Sequence, residues 1–437
     1  MRDHAIQIFR SAVEAVQPAA LLPAFISLEP PMIRLGEQYF AVDPAAGIQV
    51  LSVGKAAAAM ALSAEALLGS WIRSGLVVTK EGHSLPLSHF EVMEAGHPVP
   101  DRRSLQAGEI LLERISDLSE NDLVLLLLSG GASSLLADCP AGVSLQELQS
   151  LTAAMLRSGA DIHEINTVRK HLSPGIKGGR LARAAYPARV CTLIISDVLG
   201  DSTDSIASGP TVPDSTRFSD AWQVINKYNL SASLSLPMKQ WLMDGLEGKT
   251  AENPLPGDPV FDKVSNLIIG NNTMALQAAA RAAGALGFNT FIIDDAVRGE
   301  SREVAVSFVK QLMDFDGDRP ACLLMGGETT VTLSGHGKGG RNQEFVLAAY
   351  AALRKHYQPD TWPVLLSAGT DGSDGPTDAA GAIIDPALHA QVSALGLSPQ
   401  YFLDNNDSYH FFDKAGGLLK TGATQTNVMD IMIGLLY

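Results

Sequence analysis

Apolar positions along the chain fall into two recurring patterns. Short unbroken runs, rich in leucine and β-branched residues, alternate with longer segments in which apolar side chains return every three or four positions. "GIQVLSVG" (47–54) runs into the Ala-rich "KAAAAMALSAEALLG" (55–69), and "SGLVVTK" (74–80) follows. "NDLVLLLLSGG" (121–131) precedes helical spacing over 144–159 and 163–173, after which "ARVCTLIISDV" (188–198) reads as a further strand. Beyond 251–262 the rhythm restarts with "KVSNLIIGN", "NTMALQAAARAAGALG", "FNTFIID", "SREVAVSFVKQLMDF" and "RPACLLMGG". Unbroken apolar strands are covered on both faces, so the alternation predicts α/β layers with mostly parallel sheets. The tail "AGGLLKTGATQTNVMDIMIGLLY" predicts short strands closing the second half.

At 437 residues the chain is longer than one hydrophobic core usually supports. The Pro- and Gly-containing segment 248–262 has a complete strand–helix–strand pattern on each side, which predicts domains at 1–250 and 251–437. The first 20 residues carry charged and apolar positions at helical spacing without a continuous apolar stretch, an amphipathic helix rather than a signal peptide. The longest apolar run, "LVLLLLSGGASSLL", breaks after about one strand length, too soon to cross a bilayer. No membrane association is expected.

Charge narrows the partners. Lys and Arg number 32 against 47 Asp and Glu, a net charge of −15, with no basic run, so nucleic acid is not expected to bind. An acidic chain that handles an anion needs local cations against its own field, which draws attention to Lys and Arg beside glycines. Cys139, Cys191 and Cys322 are far apart and show no paired spacing, as expected of a protein of the reducing cytoplasm.

Several strand ends carry candidate chemistry, since open α/β sheets bind ligands beyond the carboxyl ends of their strands. Lys55 follows a buried strand and Gly54 and opens an Ala-rich helix, a costly place for a cation unless an anion comes near. "LLLLSGGASSLL" ends a strand with Ser129, Gly130, Gly131, Ser133 and Ser134, offering backbone N–H and hydroxyl donors to an anion, although it lacks the Gly-Lys-Ser/Thr of a P-loop. Asp197, Asp201 and Asp204 leave the 188–198 strand at spacings that suit either Mg²⁺ or turn capping. "HEINTVRKHLSPGIKGGRLA" (163–182) concentrates Arg169, Lys170, Lys177 and Arg180, a candidate carboxylate or phosphate site. Asp371, Asp374 and Asp378 follow "LLSAGT" among glycines, as Mg²⁺ or ribose ligands or as ordinary turns.

"GGETTVTLSGHGKGGRNQEF" contains Gly335, Gly337 and Gly340 in the G-x-G-x-x-G spacing of dinucleotide-binding enzymes. That fingerprint needs a strand running into the glycines and an acid ending the next strand about 20 residues on. Here "TTVTLSG" alternates like a half-exposed hairpin, and Asp360 precedes the next strand instead of ending it. Lys338 and Arg341 suit phosphate better, and the loop is expected to act as an anion clamp with the N-terminal N–H groups of the helix "NQEFVLAAYAAL".

Taken in order, "VGKAAAAM", "EAGHPVPD", "LLSGGASSLL", "HEINTVRKHLSPGIKGGRLA", "ISDVLGD", "IASGPTVPD", "GGETTVTLSGHGKGGRNQEF" and "SAGTDGSDGPTDAAGA" resemble the glycerate 2-kinase family, whose C-terminal half is called the MOFRL domain. The resemblance spans nearly the whole chain. It implies two α/β domains, the N-terminal one Rossmann-like with a mostly parallel sheet and the C-terminal one of MOFRL type, with the active site in a cleft between them. It also implies phosphorylation of D-glycerate with ATP and Mg²⁺. Carried over from the family, the reactive lysine falls on Lys55 and the catalytic arginine on Arg341. Asp197 is the first choice for Mg²⁺, with Glu328 and Asp371 behind it. Gly54, the 129–134 turn, Arg169, Lys177 and the 335–340 loop are expected to meet nucleotide or substrate, without an indication of which meets which. Members of the family have also been labelled hydroxypyruvate reductases, so an NAD(P)H-dependent reductase is the rival enzyme. A non-catalytic binder of hydroxy acids is a further alternative. The sequence is compatible with a homo-oligomer and does not specify one.

Overall fold

The computed structural model describes residues 1–42, 47–355 and 362–437; Asp360, weighed above against the dinucleotide fingerprint, lies outside them. Two compact units result. The first is Leu21–Ile269, and the second combines Met1–Ala20 with Gly270–Tyr437. This partition differs from a cut at 250/251 at both ends of the chain.

Six strands form the sheet of the first unit: β1 (Ile48–Val53), β2 (Ile72–Lys80), β3 (Phe90–Ala95), β4 (Leu123–Leu128), β5 (Arg189–Ile195) and β6 (Val264–Gly270). Their order is β3-β2-β1-β4-β5-β6, and the pairs β2–β3, β1–β2, β1–β4 and β4–β5 are parallel. Every residue of β1 and β4 is buried, which explains why both read as unbroken apolar runs. β6 lies past the expected domain cut yet completes this sheet, and Thr211 donates to its Asn266 at 2.7 Å. Helices Leu145–Arg157 and Ile162–His171 begin at capping boxes, Ser144 with Glu147 and Asp161 with Glu164. Three four-residue strands, Ile26–Glu29, Met32–Leu35 and Gln38–Ala41, form a small antiparallel sheet that the sequence pattern did not suggest. Four residues hold only two turns of alternation, too little for a periodic signal.

The second unit is built on β7 (Asn289–Val297), β8 (Ala321–Gly327), β9 (Val364–Gly369), β10 (Gly381–Ile384), β11 (Leu418–Leu419) and β12 (Asp430–Leu436), in the order β7-β8-β12-β9-β10-β11. Only β7–β8 is parallel among the described pairs; β8–β12, β12–β9, β9–β10 and β10–β11 are antiparallel. The expectation of a mostly parallel sheet fails here, and the tail divides: its short strand β11 closes one edge, whereas β12 does not. β12 lies in the middle, buried at every residue. An unbroken apolar run reports cover on both faces and says nothing about strand direction.

The helix Arg2–Ala15 joins this second unit although it begins the chain. Thr426 Oγ1 donates to Val16 O at 2.7 Å and Arg2 Nη2 to Gly416 O at 2.8 Å. Helix Arg341–Leu353 buries ten of its 13 residues, placing Phe345 and Tyr350 in a core with Phe308, Phe411 and Phe412. Among the described residues no helix is long and apolar enough to cross a membrane.

Candidate active site

In the first unit the strand order reverses between β1 and β4, the position where open α/β sheets receive their ligands. The ends of these two strands are laced together: Ser129 N donates to Val53 O at 3.0 Å, and Lys55 N to Gly130 O at 2.9 Å. Gly54, at φ +135°, is required because a Cβ there would lie 2.1 Å from Ser129 Oγ. Helix Ala57–Leu68 therefore starts at the switch point, without a side-chain cap, directly after Lys55. A Cβ on Gly130 would fall 1.7 Å from Asp197 Oδ2, and one on Gly131 would fall 2.9 Å from His97 Nε2 and 3.3 Å from Lys55 Cγ. Lys55, His97 and Asp197, each just beyond a different strand, thus border one Gly-Gly turn. The sequence singled out Lys55, Gly54, Gly130, Gly131 and Asp197; it did not single out His97, although the motif "EAGHPVPD" contains it two residues after β3.

The serines of this turn behave differently from the expectation of free hydroxyl donors. Ser129 Oγ accepts from Ala56 N at 3.0 Å, Ser134 Oγ donates to Gly131 O at 3.0 Å, and Ser133 Oγ bonds Ser208 Oγ at 2.6 Å. All three are used in shaping the turn.

The basic stretch 163–182 divides as well. Lys170 Nζ is buried 3.5 Å from Asp214 Oδ1 and 3.7 Å from Asp204 Oδ2. Arg180 bonds Asn253 Oδ1 and Ala251 O. Lys177 Nζ donates to Ser133 O at 2.9 Å and Leu136 O at 3.2 Å, bracing the turn from behind. Burial lowers the Lys177 ammonium to about 8, with Asp138 opposing the shift and Arg169 adding to it. These three cations are framework. Arg169 is the exception: burial lowers its guanidinium, and it has no hydrogen-bond or ion-pair partner among the described residues. It lines a cavity of about 400 Å³ together with Ser133, Lys177 and Pro98.

The second unit gathers a separate charged cluster where β8 and β9 end and β12 begins. Arg341, the first residue of its helix, donates from Nε to Asp430 Oδ2 at 2.5 Å and from Nη2 to Asp430 Oδ1 at 2.9 Å. Its Nη1 lies 2.8 Å from Glu328 Oε1. Burial works against the guanidinium charge, but Asp430 and then Glu328 hold it firmly protonated. Asp430 is completely buried and was not foreseen; its signal is a lone acid opening the apolar run "DIMIGLL". Asp371 accepts from Ser373 N at 2.9 Å, as an Asx turn does, and a Cβ on Gly369 would have Asp371 Oδ1 and Asp430 Oδ1 at 3.3 and 3.4 Å. Asp378 pairs with Lys420 and Tyr409 at the surface.

The glycine loop bonds largely to its own unit. Ser334 N and Gly335 N donate to Asn406 Oδ1, His336 N to Asn405 Oδ1, Gly337 N to Asn405 O and Lys338 N to Asp407 Oδ1. Asp374 accepts from Asn342 N at 3.0 Å and Gln343 N at 2.8 Å, so a carboxylate of the chain itself caps helix Arg341–Leu353. The amides of residues 334–338 and of Asn342 and Gln343 are thus engaged inside the unit. Gly335, Gly337 and Gly340 are needed for close packing: added Cβ atoms would lie 2.3, 2.4 and 2.3 Å from Asn405, Asp407 and Asp374. Lys338 Nζ sits 4.4 Å above the Tyr409 ring.

Among the described residues no group of three His, Cys, Asp or Glu side chains is arranged to hold a metal. Mg²⁺ in phosphoryl-transfer sites needs only one or two carboxylates besides phosphate and water, and Asp197 beside the Gly130 turn meets that requirement. Glu328 is committed to Arg341 and suits a metal less well. Asp204 takes hydrogen bonds from Ser202 and Ser205 and lies near Lys170, which favours its reading as turn chemistry.

Comparison with known proteins shows the family. Residues 4–243 match a domain of unknown function (DUF4147), and residues 321–430 match the MOFRL family. The chain is 44% identical to a D-glycerate 2-kinase from Thermotoga maritima over 100% of its own length and 98% of the relative's. A crystal structure of a glycerate kinase from T. maritima superposes with a TM-score of 0.85 at 43% identity, covering 100% of this chain and 99% of the other. A relative from Agrobacterium vitis that carries hydroxypyruvate reductase in its name is 42% identical over 87% of this chain and 97% of its own. With full-length identity above two-fifths to a named D-glycerate 2-kinase, a MOFRL match over its C-terminal part and the fold of a glycerate kinase, the chain belongs to the glycerate 2-kinase family.

Proposed function

We propose that this protein transfers the γ-phosphoryl group of ATP to D-glycerate in the presence of Mg²⁺, forming 2-phosphoglycerate. The observation that carries the reading is Lys55 at the switch point of the first sheet, at the head of an uncapped helix and beside the Gly130–Gly131 turn. A helix N-terminus attracts an anion, and the lysine beside it adds positive charge at the same place. The names of the full-length relatives supply the acceptor.

Phosphoryl transfer asks a protein mainly to position the groups and to neutralise charge on the transferred oxygens. Lys55 would place an ammonium on those oxygens; Arg341, whose planar guanidinium is oriented by Asp430 and Glu328, is the other residue assigned a catalytic role. Asp197 would hold Mg²⁺, whose chemistry is to neutralise and align phosphate oxygens. Little base assistance to the attacking hydroxyl is needed when bond breaking runs ahead of bond making.

A reductase reading loses its main support. The stretch between β8 and helix Arg341–Leu353 is a 13-residue loop rather than a tight strand-to-helix turn, and Asp374 occupies the helix N–H groups that a dinucleotide pyrophosphate would use. The deciding experiment is a coupled assay of purified protein with D-glycerate, ATP and Mg²⁺, run beside one with hydroxypyruvate and NADH or NADPH. ADP release that requires both glycerate and Mg²⁺ is expected, and NMR of the product identifies the phosphorylated hydroxyl. Nicotinamide oxidation without ADP release would overturn the proposal.

A further inference from the structure

The cavity beside the switch point has a chemistry that glycerate does not match. Its volume is about 400 Å³, and its wall is mostly apolar, built from helices Leu145–Arg157 and Ile162–His171 and from the segment after His97. Val99, Leu148, Met155, Val168 and Leu172 all face it. Glycerate has three carbons bearing two hydroxyls and a carboxylate, and nothing in it rewards apolar contact. Of the two reactants, only the nucleotide carries a flat, largely apolar body.

We infer that this cavity receives the base and ribose of the nucleotide, an assignment that rests on the kinase reading. Continuity with the turn carries it. Pro98 adjoins His97, which packs against Gly131, and Ser133 belongs both to the turn and to the cavity wall. A polyphosphate lying along Lys55 and the Gly130–Gly131 turn therefore directs its nucleoside into the cavity. Arg169 faces the same space, lacks a hydrogen-bond or ion-pair partner among the described residues, and carries a charge that burial disfavours. A guanidinium in that condition is completed by an anion or by stacking on an aromatic ring, and a nucleotide offers both. Lys177 is buried in the same wall with two carbonyls as partners, and Asp138 lies beside it. A cavity of this size with a few polar groups in an apolar lining is typical of small-molecule sites.

Calorimetric binding of Mg-ADP and, separately, of D-glycerate to the wild type, Ala153→Phe and Leu156→Trp tests the assignment. Ala153 lines the cavity, and phenylalanine there fills part of it; Leu156 lines its mouth and is 61% exposed, so tryptophan narrows the entrance without disturbing the core. A loss of at least tenfold in Mg-ADP affinity, with D-glycerate affinity unchanged within twofold in a variant that melts like the wild type, is expected. Mg-ADP affinity within twofold of wild type in both variants would overturn the assignment, as would a selective loss of D-glycerate binding. Failure of the kinase reading itself looks different: the wild type would then release no ADP in the coupled assay, whereas failure of this assignment leaves wild-type turnover intact.

Discussion

Arg341 and Asp430 face each other as a two-point pair, Nε and Nη2 on the two carboxylate oxygens, with Asp430 wholly buried at the start of a central strand. The carboxylate fixes the plane of the guanidinium and leaves Nη1 directed at the more exposed Glu328. Arg341→Ala would strand a buried carboxylate, a change that costs about 3–5 kcal/mol. Unfolding in urea should show that loss along with a fall in kcat. Arg341→Lys keeps the charge but cannot span both oxygens, and Asp430→Asn weakens the fork while leaving the arginine in place. Both are expected to lose kcat by more than tenfold with smaller stability losses. Full activity in Asp430→Asn would show that the orientation of Arg341 does not matter to the reaction.

Lys55 holds the fold together through its backbone, whose amide donates to Gly130 O and joins β1 to β4. Lys55→Ala should leave the melting temperature within a few degrees of wild type while kcat falls roughly 10²–10⁵-fold, the scale for a cation acting on a transferred phosphoryl group. Steady-state kinetics on a variant with native circular dichroism decides it; turnover within a few-fold of wild type would remove Lys55 from the catalytic set.

Gly130 has no room for a methyl group because the Asp197 carboxylate occupies it at 1.7 Å. Gly130→Ala must push Asp197 aside, and overpacking of this kind typically costs about 1–3 kcal/mol. The Mg²⁺ concentration giving half-maximal activity should rise severalfold, and Asp197→Asn should raise it at least as much without the same loss of stability. Titration of activity with Mg²⁺ in both variants is the measurement. An unchanged Mg²⁺ requirement in Asp197→Asn would assign the metal to other residues.

What the sequence revealed and what it concealed follow from the range of the interactions. β1 and β4 were legible because burial on both faces leaves only apolar residues, and the turns after them because Gly54, Gly130 and Gly131 meet steric demands set by close neighbours. The partners of the basic stretch were not legible. Lys170 and Arg180 resemble exposed ligand-binding cations until Asp214 and Asn253, some 40 to 70 positions later, are brought against them. The partners of the 334–338 amides were hidden for the same reason: they are side-chain and backbone oxygens of residues 405–407, and no local pattern announces a contact of that span. Asp430 stayed hidden because an apolar run does not disclose that its strand runs antiparallel between β8 and β9, bringing its first residue to their carboxyl ends.

Asp374 links the helix cap behind Arg341 to pH. It is buried beneath the first turn of helix Arg341–Leu353, and burial raises its carboxyl from 3.8 to about 7 despite the amides of Asn342 and Gln343. Between about pH 4 and pH 7 the folded chain holds a proton that the unfolded chain has released. The stability contributed by this group is therefore complete below pH 4 and is lost as the pH climbs to 7, by an amount on the order of a few kcal/mol. Asp374→Asn cannot ionise, and it retains an oxygen that can accept from the first turn. Urea unfolding of wild type and Asp374→Asn from pH 5 to pH 8 should show the wild type falling relative to the variant up to about pH 7 and running parallel above it. Parallel curves over the whole range would mean that the two amides keep Asp374 ionised throughout, and that the cap on the Arg341 helix carries a full negative charge at every pH at which the protein folds.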